Sequence, residues 1–441
     1  MLWKLLASHR FLDYNKLVVE GGKLSLNSCQ LLASCRVLDL TDEKGLLCGK
    51  ILADLGAEVI KVEPPGGDPA RRCGPYYHDM IQQETSLFWF AYNTNKKGIT
   101  LNLKHPTGRE IFKALVAKTD FVIESFPPGY LESLGLGYEA LYKINKGVIL
   151  VSISPFGQIG PYKSYKGYDL VVLATGGLMY VTGEPERPPV GFSFPQAYLL
   201  ASVQASASAM IAHYHRERTG EGQHVDTSAQ ASFLTALTNM IPRWELSQIV
   251  THREGSRRMG VFAQANVRSL YRCQDGFIAF FVLGGISSAK TNRAFIEWMN
   301  SEGMADEYLM SIDWSKFDFA TVTQEEISRI EGYVEKFFMT HTKAEIFKGA
   351  REKHIILQPL LNIPELMHNE QLEARDFWQE VEHPELSDKI TYPGPFIKLS
   401  ETPLNPQRRA PFIGEHNKEI YLEELGFSLQ DIMALKQEGV I

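Results

Sequence analysis

Residues 36–63, RVLDLTDEKGLLCGKILADLGAEVIKVE, decide the fold. RVLDL reads as a short apolar strand, DEKGLLCGKILADLG as a helix stopped by glycine, and AEVIKVE as the strand that follows. The alternation continues outward. After the turn PPGGDPARR, GITLNL extends again, and residues 107–119 carry Ile111, Phe112, Leu115 and Val116 at helical spacing before DFVIES returns as a strand. A helix over YLESLGLGYEALYKI leads into the strand GVILVSIS. Strands alternating with helices of this length predict βαβ units, hence a doubly wound, Rossmann-like α/β domain.

The turn after the first strand is TDEKGLLCG and lacks the GxGxxG dinucleotide fingerprint, so NAD and FAD are not expected. Beyond about residue 230 the alternation fades. A strand pair around SLYRCQDGFIAFFVL with Asp275-Gly276 as its turn signal, followed by the helical stretch QEEISRIEGYVEKFFMTHTKAEIFKGAREKH, predicts a smaller α+β domain. The tail from about 395 returns to loops and two short helices.

The 441 residues are 44% hydrophobic and 22% charged, with 45 Lys+Arg against 52 Asp+Glu, a formal net charge of −7. This is a globular composition with no basic surplus for nucleic acid, and it has room for two or three domains. Cysteines 29, 35, 48, 73 and 273 form no CxxC pair and are odd in number. Neither a disulfide framework nor a zinc site is expected, and a reducing, cytoplasmic setting is. The opening MLWKLLASHRFLDYNK does not read as a signal peptide and predicts a surface helix. Residues 188–215 hold no Lys, Arg, Asp or Glu, but three prolines, two glutamines and several serines make this a loop feeding a buried helix, not a membrane span. His213 and His215, two apart on a helix, point to different faces and make no metal site.

Seven segments carry a likeness: LADLGAEVIKVEPPGGDPAR, NTNKKGITLNLKHPTGREIF, ESFPPGYLESLGLGYEAL, SISPFGQIGPY, KGYDLVVLATGGLMYVTG, RERTGEGQHVDTS and the tail GEHNKEIYLEELGFSLQDIMALKQEGVI. In this order and spacing the chain resembles the family III coenzyme A transferases, the CaiB/BaiF family, which also holds the α-methylacyl-CoA racemases. The likeness is dense over 36–230 and thin over 240–390. It implies an interlocked, ring-shaped dimer. Its domains would be a 1–35 extension, a large α/β domain beginning with 36–230, linkers and small domain over 231–390, and the C-terminal part of the large domain over 391–441. No permanent cofactor is implied, since a CoA thioester enters as substrate.

Transfer in that family is covalent. An aspartate carboxylate attacks the acyl-CoA thioester to give a mixed anhydride and CoA thiolate, then the incoming acid exchanges onto the enzyme and accepts CoA. The resemblance places this aspartate in the turn leading into the helix after the GYD motif, where GFSFPQAYLL has Gln196. An amide cannot form the anhydride. Asp169 of the GYD motif is the other candidate acid, and its alternative reading is an acid bonded to nearby backbone. A racemase needs a histidine just before that acid, where Tyr168 stands, and the later aspartate, so both members of its pair are missing. Two-subunit relatives exist, with one catalytic chain and one homologue that is not, as in succinyl-CoA:benzylsuccinate transferases. The leading expectation is therefore a non-catalytic subunit, with succinyl-CoA as the donor and an aromatic dicarboxylate such as benzylsuccinate as the acceptor. The alternatives are an active homodimer using Asp169, and a racemase, hydratase or CoA-binding accessory relative.

For CoA itself the resemblance implies Leu101, Lys104, Ser125, Phe126 and Lys166 as contacts. Pro64 and Ser133 stand where relatives carry arginines, and Arg71 and Arg72 are either replacements for them or exposed turn residues. Gly284-Gly285 reads as a plain hairpin turn, with the family's glycine loop as the alternative that the resemblance implies, and KAEIFKGAREK as a solvated helix face.

Overall fold

The computed structural model describes residues 31–259, 265–282, 284–285, 288–402, 404 and 407–441, with the backbone of 19–20 and 23–24. The surface helix expected over the first sixteen residues lies outside the described residues. The chain divides into two compact units. One ends its first stretch at Val172 and adds Pro195–Phe233 and Glu373–Ile441; the other comprises Leu173–Phe194 and Leu234–Leu372.

The first unit is built on a six-stranded parallel sheet: β1 Arg36–Asp39, β2 Glu58–Glu63, β3 Lys97–Thr100, β4 Phe121–Glu124, β5 Ile149–Ser154 and β6 His224–Ser228. The order is β3-β2-β1-β4-β5-β6, the doubly wound order in which the chain reverses direction between β1 and β4. Val37, Leu38, Val59, Ile60, Val122, Ile123, Leu150 and Val151 are all buried, because a parallel sheet is covered on both faces. One face meets α2 (Pro106–Val116), α3 (Tyr138–Ile144) and the tail residues Ile420, Tyr421, Leu435 and Val440. The other side receives α1 (Leu46–Asp54) and α4 (Gln196–Thr219). Ala197, Ala201, Ala205, Ala209 and Ala212 form the buried stripe of α4, small enough to let it lie close to α1.

The uncharged stretch is thus a loop and a packed helix. Among the described residues no helix is long and apolar enough to cross a membrane. The single helix expected over 130–144 is two, Tyr130–Ser133 and α3, broken where Gly135 takes φ +70°. β3 is an edge strand, and the tail closes it: Gly98 N–H donates to His416 Nδ1 (3.1 Å) and Thr100 N–H to Asn417 Oδ1 (2.9 Å).

The second unit has a three-stranded antiparallel sheet, β7 Leu270–Cys273, β8 Gly276–Ala279 and β9 Gln358–Pro359. Its helices include α5 Met240–Ser247, α6 Ala289–Ser301, α7 Gln324–Met339 and α8 Lys343–Lys353. Capping boxes at Thr323 and Thr342 start α7 and α8 separately, so the long helical stretch is two helices. Tyr271, Phe280, Phe295, Phe337 and Phe338 fill the core between sheet and helices. The hairpin turn is Gln274-Asp275, one residue earlier than expected: Gly276 pairs with Cys273, and the Asp275 carboxylate accepts the Lys343 N–H (2.7 Å), which holds it out of the ladder.

Candidate functional site

A cavity of about 480 Å³ opens at the carboxyl ends of β1 to β4, beside the point where the strand order reverses and where doubly wound sheets place ligands. Leu40, Val62, Pro64, Leu101, Phe126 and Tyr130 supply apolar walls. Asp42, Asp68, Asn102 and Lys104 supply the polar groups. The tail also contributes: Gly439 lines the cavity, and its carbonyl accepts from the Asn102 side chain (3.1 Å) while the Val440 carbonyl accepts the Asn102 N–H (2.7 Å). The Asn102 Oδ1 in turn accepts the Lys104 N–H (3.1 Å). This fixes the backbone of Lys104 and leaves its side chain exposed, with no ion-pair partner among the described residues.

Of the residues that sequence marked for CoA, Leu101, Lys104 and Phe126 line this one cavity. Ser125 is buried beside it. Its hydroxyl donates to Asp42 Oδ1 (2.7 Å) and accepts the Asp42 N–H (2.9 Å), which ties the β4 end to the Asp42 turn. Lys166 is exposed and is not among the lining residues. Pro64 lines the cavity wall, and the Ser133 hydroxyl donates to the Tyr130 carbonyl (2.7 Å).

Arg71 overturns both expectations for it, being neither an exposed turn residue nor a free cation. It is wholly buried, with Nε and Nη2 on the Glu63 carboxylate (2.6 and 2.7 Å), Nη1 on Glu84 (2.6 Å) and the guanidinium 3.8 Å over the Trp89 ring. Its charge is spent inside the fold. Arg72 is exposed.

Sequence reasoning also missed the charged floor beneath the cavity. Buried Asp39 meets Lys96 Nζ (2.8 Å), and buried Lys61 meets Asp68 (3.0 Å) and the Thr41 carbonyl. Burial pushes the Asp39 carboxyl up, yet the Lys96 and Lys61 charges hold it below the ordinary range. Burial lowers Lys96, which keeps Asp39, the Leu46 carbonyl (2.8 Å) and Asn93 Oδ1 (2.9 Å) as acceptors. Glu124, the last residue of β4, was quoted only as part of a motif. It accepts the Phe126 N–H (2.6 Å), and burial pushes its carboxyl up to about 7. No spacing rule separates such residues from ordinary strand ends; only the packing does.

Asp169 and Gln196 come together elsewhere in the first unit, at the start of α4. Gln196 is its first residue, and the Asp169 carboxylate accepts the Tyr198 N–H (3.1 Å), while the Tyr198 hydroxyl donates to the Gly167 carbonyl. Asp169 therefore caps the positive end of a 24-residue helix. Burial raises its pKa. Among the described residues no group of His, Cys, Asp and Glu is arranged to hold a metal, and Cys35, Cys48, Cys73 and Cys273 are free thiols. His213 is engaged by Arg216 (2.8 Å).

The model of CoA-transferase family III matches residues 32–417. The chain belongs to this family. As a family III CoA-transferase it works on CoA thioester substrates, and its relatives agree. It is 35% identical to the succinyl-CoA:(R)-benzylsuccinate CoA-transferase subunit BbsE of Thauera aromatica, over 92% of this chain and 97% of that one. It is 31% identical to a succinyl-CoA–D-citramalate CoA-transferase and 30% identical to the beta subunit of a succinyl-CoA–L-malate CoA-transferase, both of Chloroflexus aurantiacus, each over 93% of this chain and 98% of the relative. Among solved structures, a CAIB/BAIF family protein from Brucella suis superposes with TM-score 0.75 at 26% identity, covering 88% of this chain and 98% of the other. The mixed α/β fold around a parallel sheet is that of the family.

Proposed function

We propose that this chain is one subunit of a CoA-transferase that moves CoA from succinyl-CoA to a carboxylic acid, an aromatic dicarboxylate such as benzylsuccinate, and that a homologous partner chain supplies the nucleophilic aspartate. The observation that carries this reading is Gln196. It begins α4 at the position where the family resemblance calls for the nucleophile, and its amide has no ionised oxygen with which to open a thioester. Relatives named as subunits, BbsE and the malate transferase beta chain, support a heteromer.

In this reading the cavity at β1 to β4 receives CoA. Lys104 faces phosphate charge, Leu101 and Phe126 pack on the adenine, Ser125 holds the Asp42 turn, and Lys166 adds a peripheral cation. Two arginines of relatives are replaced by Pro64 and Ser133, so this chain holds CoA more weakly than its partner. The partner's aspartate forms the mixed anhydride and releases CoA thiolate; the acceptor carboxylate then displaces succinate from the aspartyl carbonyl, and the thiolate attacks the new anhydride at the acceptor's acyl carbon, releasing the acceptor's CoA ester and the free aspartate. The interlocked dimer, the 36–230 plus 391–441 large domain, the 231–390 small domain and a cytoplasmic location belong to the same proposal. An active homodimer using Asp169 is disfavoured, because that carboxylate already accepts the Tyr198 N–H.

The test is purification from the native host. A stoichiometric homologous chain carrying an aspartate at the start of the helix matching α4 is the expected result. A homodimer with full transferase activity would end the proposal.

A further inference from the structure

CoA is a polyanion, yet two of the three charged residues that line the cavity at the ends of β1 to β4 are carboxylates, Asp42 and Asp68; the third is Lys104. A carboxylate on such a wall repels phosphate unless a cation lies close to it. Each of the two has one. Lys61, wholly buried, meets Asp68 at 3.0 Å. On the turn after β1, the Lys44 ammonium pairs with Asp42 Oδ2, and neither lysine is itself among the lining residues. Two carboxylates are offset by two lysines, and Lys104 is left as the net charge that the wall presents to a ligand.

The two pairs differ in what they do for the fold. Lys61 also bonds the Thr41 carbonyl and feels the charges of Asp68, Asp39 and Glu63, so removing it would strand buried carboxylates. Lys44 is partly exposed and is the one Lys or Arg in residues 40–45. Asp42 is held without the Lys44 ammonium, because its Oδ1 accepts the Ser125 hydroxyl (2.7 Å) and the Lys44 backbone N–H (3.2 Å). Taking that ammonium away removes a charge and leaves the carboxylate in place. A partly exposed ion pair of this kind adds little to folding stability. The neighbouring Glu43 is not a lining residue; burial and the Asp42 charge raise its carboxyl, and Lys44 pulls it down. Arg71, spent on Glu63 and Glu84, cannot replace Lys44.

We infer that Lys44 sets the CoA affinity of this chain by neutralising Asp42, so that the cavity wall meets the phosphates of CoA with a net positive charge in place of none. Lys44 acts through Asp42 and is not a catalytic residue. The inference rests on the reading above that this cavity receives CoA.

The experiment is isothermal titration of CoA into the full chain at about 20 mM and about 500 mM NaCl, the second of which screens charges beyond a few ångströms. Five proteins are compared: the parent, Lys44→Met, which keeps the aliphatic stem, Asp42→Asn, the K44M/D42N double variant, and Lys104→Ala. K44M should melt with the parent and bind CoA about 5- to 20-fold more weakly at low salt, the scale of one unit charge near phosphate. Most of that loss should vanish at high salt. D42N should bind at least as tightly as the parent, and K44M/D42N should return to within about twofold of it, because the wall regains its net charge. A K44M protein that binds CoA like the parent would overturn the inference. So would a K44M loss that persists at high salt or that D42N does not repair, since either marks a structural role. Absence of CoA binding by the parent, or a K104A variant that binds CoA as tightly as the parent, would refute the reading of this cavity as the CoA site and the inference with it.

Discussion

Replacing Glu124 by glutamine should flatten part of the protein's pH–stability curve. Glu124 is 5% exposed, accepts the Phe126 N–H and lies against Ser152; burial raises its carboxyl from 4.5 to about 7. Because the folded pKa lies above the unfolded one, the folded state binds the proton more tightly. The stability from this group is complete below pH 4.5, falls as pH rises and is gone above about 7. At about 1.36 kcal/mol per tenfold change in proton affinity, that raise is worth about 3 kcal/mol. Glutamine resembles the protonated acid: it can still accept the Phe126 N–H and carries no charge to desolvate. E124Q should match the parent near pH 4.5 and exceed it by about 3 kcal/mol at pH 8. Urea denaturation of both proteins from pH 4.5 to 8 measures this, and low-pH losses from paired carboxylates such as Asp39 cancel in the difference. Parallel curves, or a variant weakened equally at every pH, would refute the reasoning.

Other residues give simpler outcomes. Arg71→Met strands the buried Glu63 carboxylate and should cost about 3–5 kcal/mol in urea unfolding; a loss below about 1 kcal/mol would contradict its role as an internal ion-pair hub. A methyl group at Gly108 would lie 2.1 Å from the Asn102 carbonyl oxygen, so Gly108→Ala should destabilise by about 1–3 kcal/mol and, by displacing the segment that carries Lys104, weaken CoA binding in equilibrium dialysis. Lys104→Ala should lower CoA affinity several-fold without changing the urea midpoint, since its exposed side chain makes no hydrogen bond or ion pair among the described residues. Gln196→Asp should let this chain form an acyl adduct with succinyl-CoA if the surrounding geometry is intact, read by mass spectrometry.

The regular elements were legible where hydrophobic periodicity is strong. RVLDL, AEVIKVE, DFVIES and GVILVSIS are strands because both sheet faces demand apolar residues there, and α4 follows from its uncharged, small-residue run. The break at Gly135 and the one-residue shift of the 274–275 turn depend on a backbone dihedral and on a carboxylate bonded to a distant helix, neither of which periodicity encodes. The same limit applies at the site. Leu101, Lys104 and Phe126 meet around one cavity, while Lys166 does not join them. Arg71 looked available because PGGDPARR reads as a surface turn, and its partners Glu63 and Glu84 converge only in the folded chain.

The central claim, that this chain lends a fold and a binding surface but no nucleophile, is tested most directly by trapping the covalent intermediate. The purified chain is mixed with succinyl-CoA, alone and with its homologous partner, quenched, and each polypeptide weighed before and after hydroxylamine. The account predicts a hydroxylamine-sensitive acyl adduct on the partner and none on this chain in either mixture. An adduct on this chain alone, at Asp169 or any other carboxylate, would contradict it.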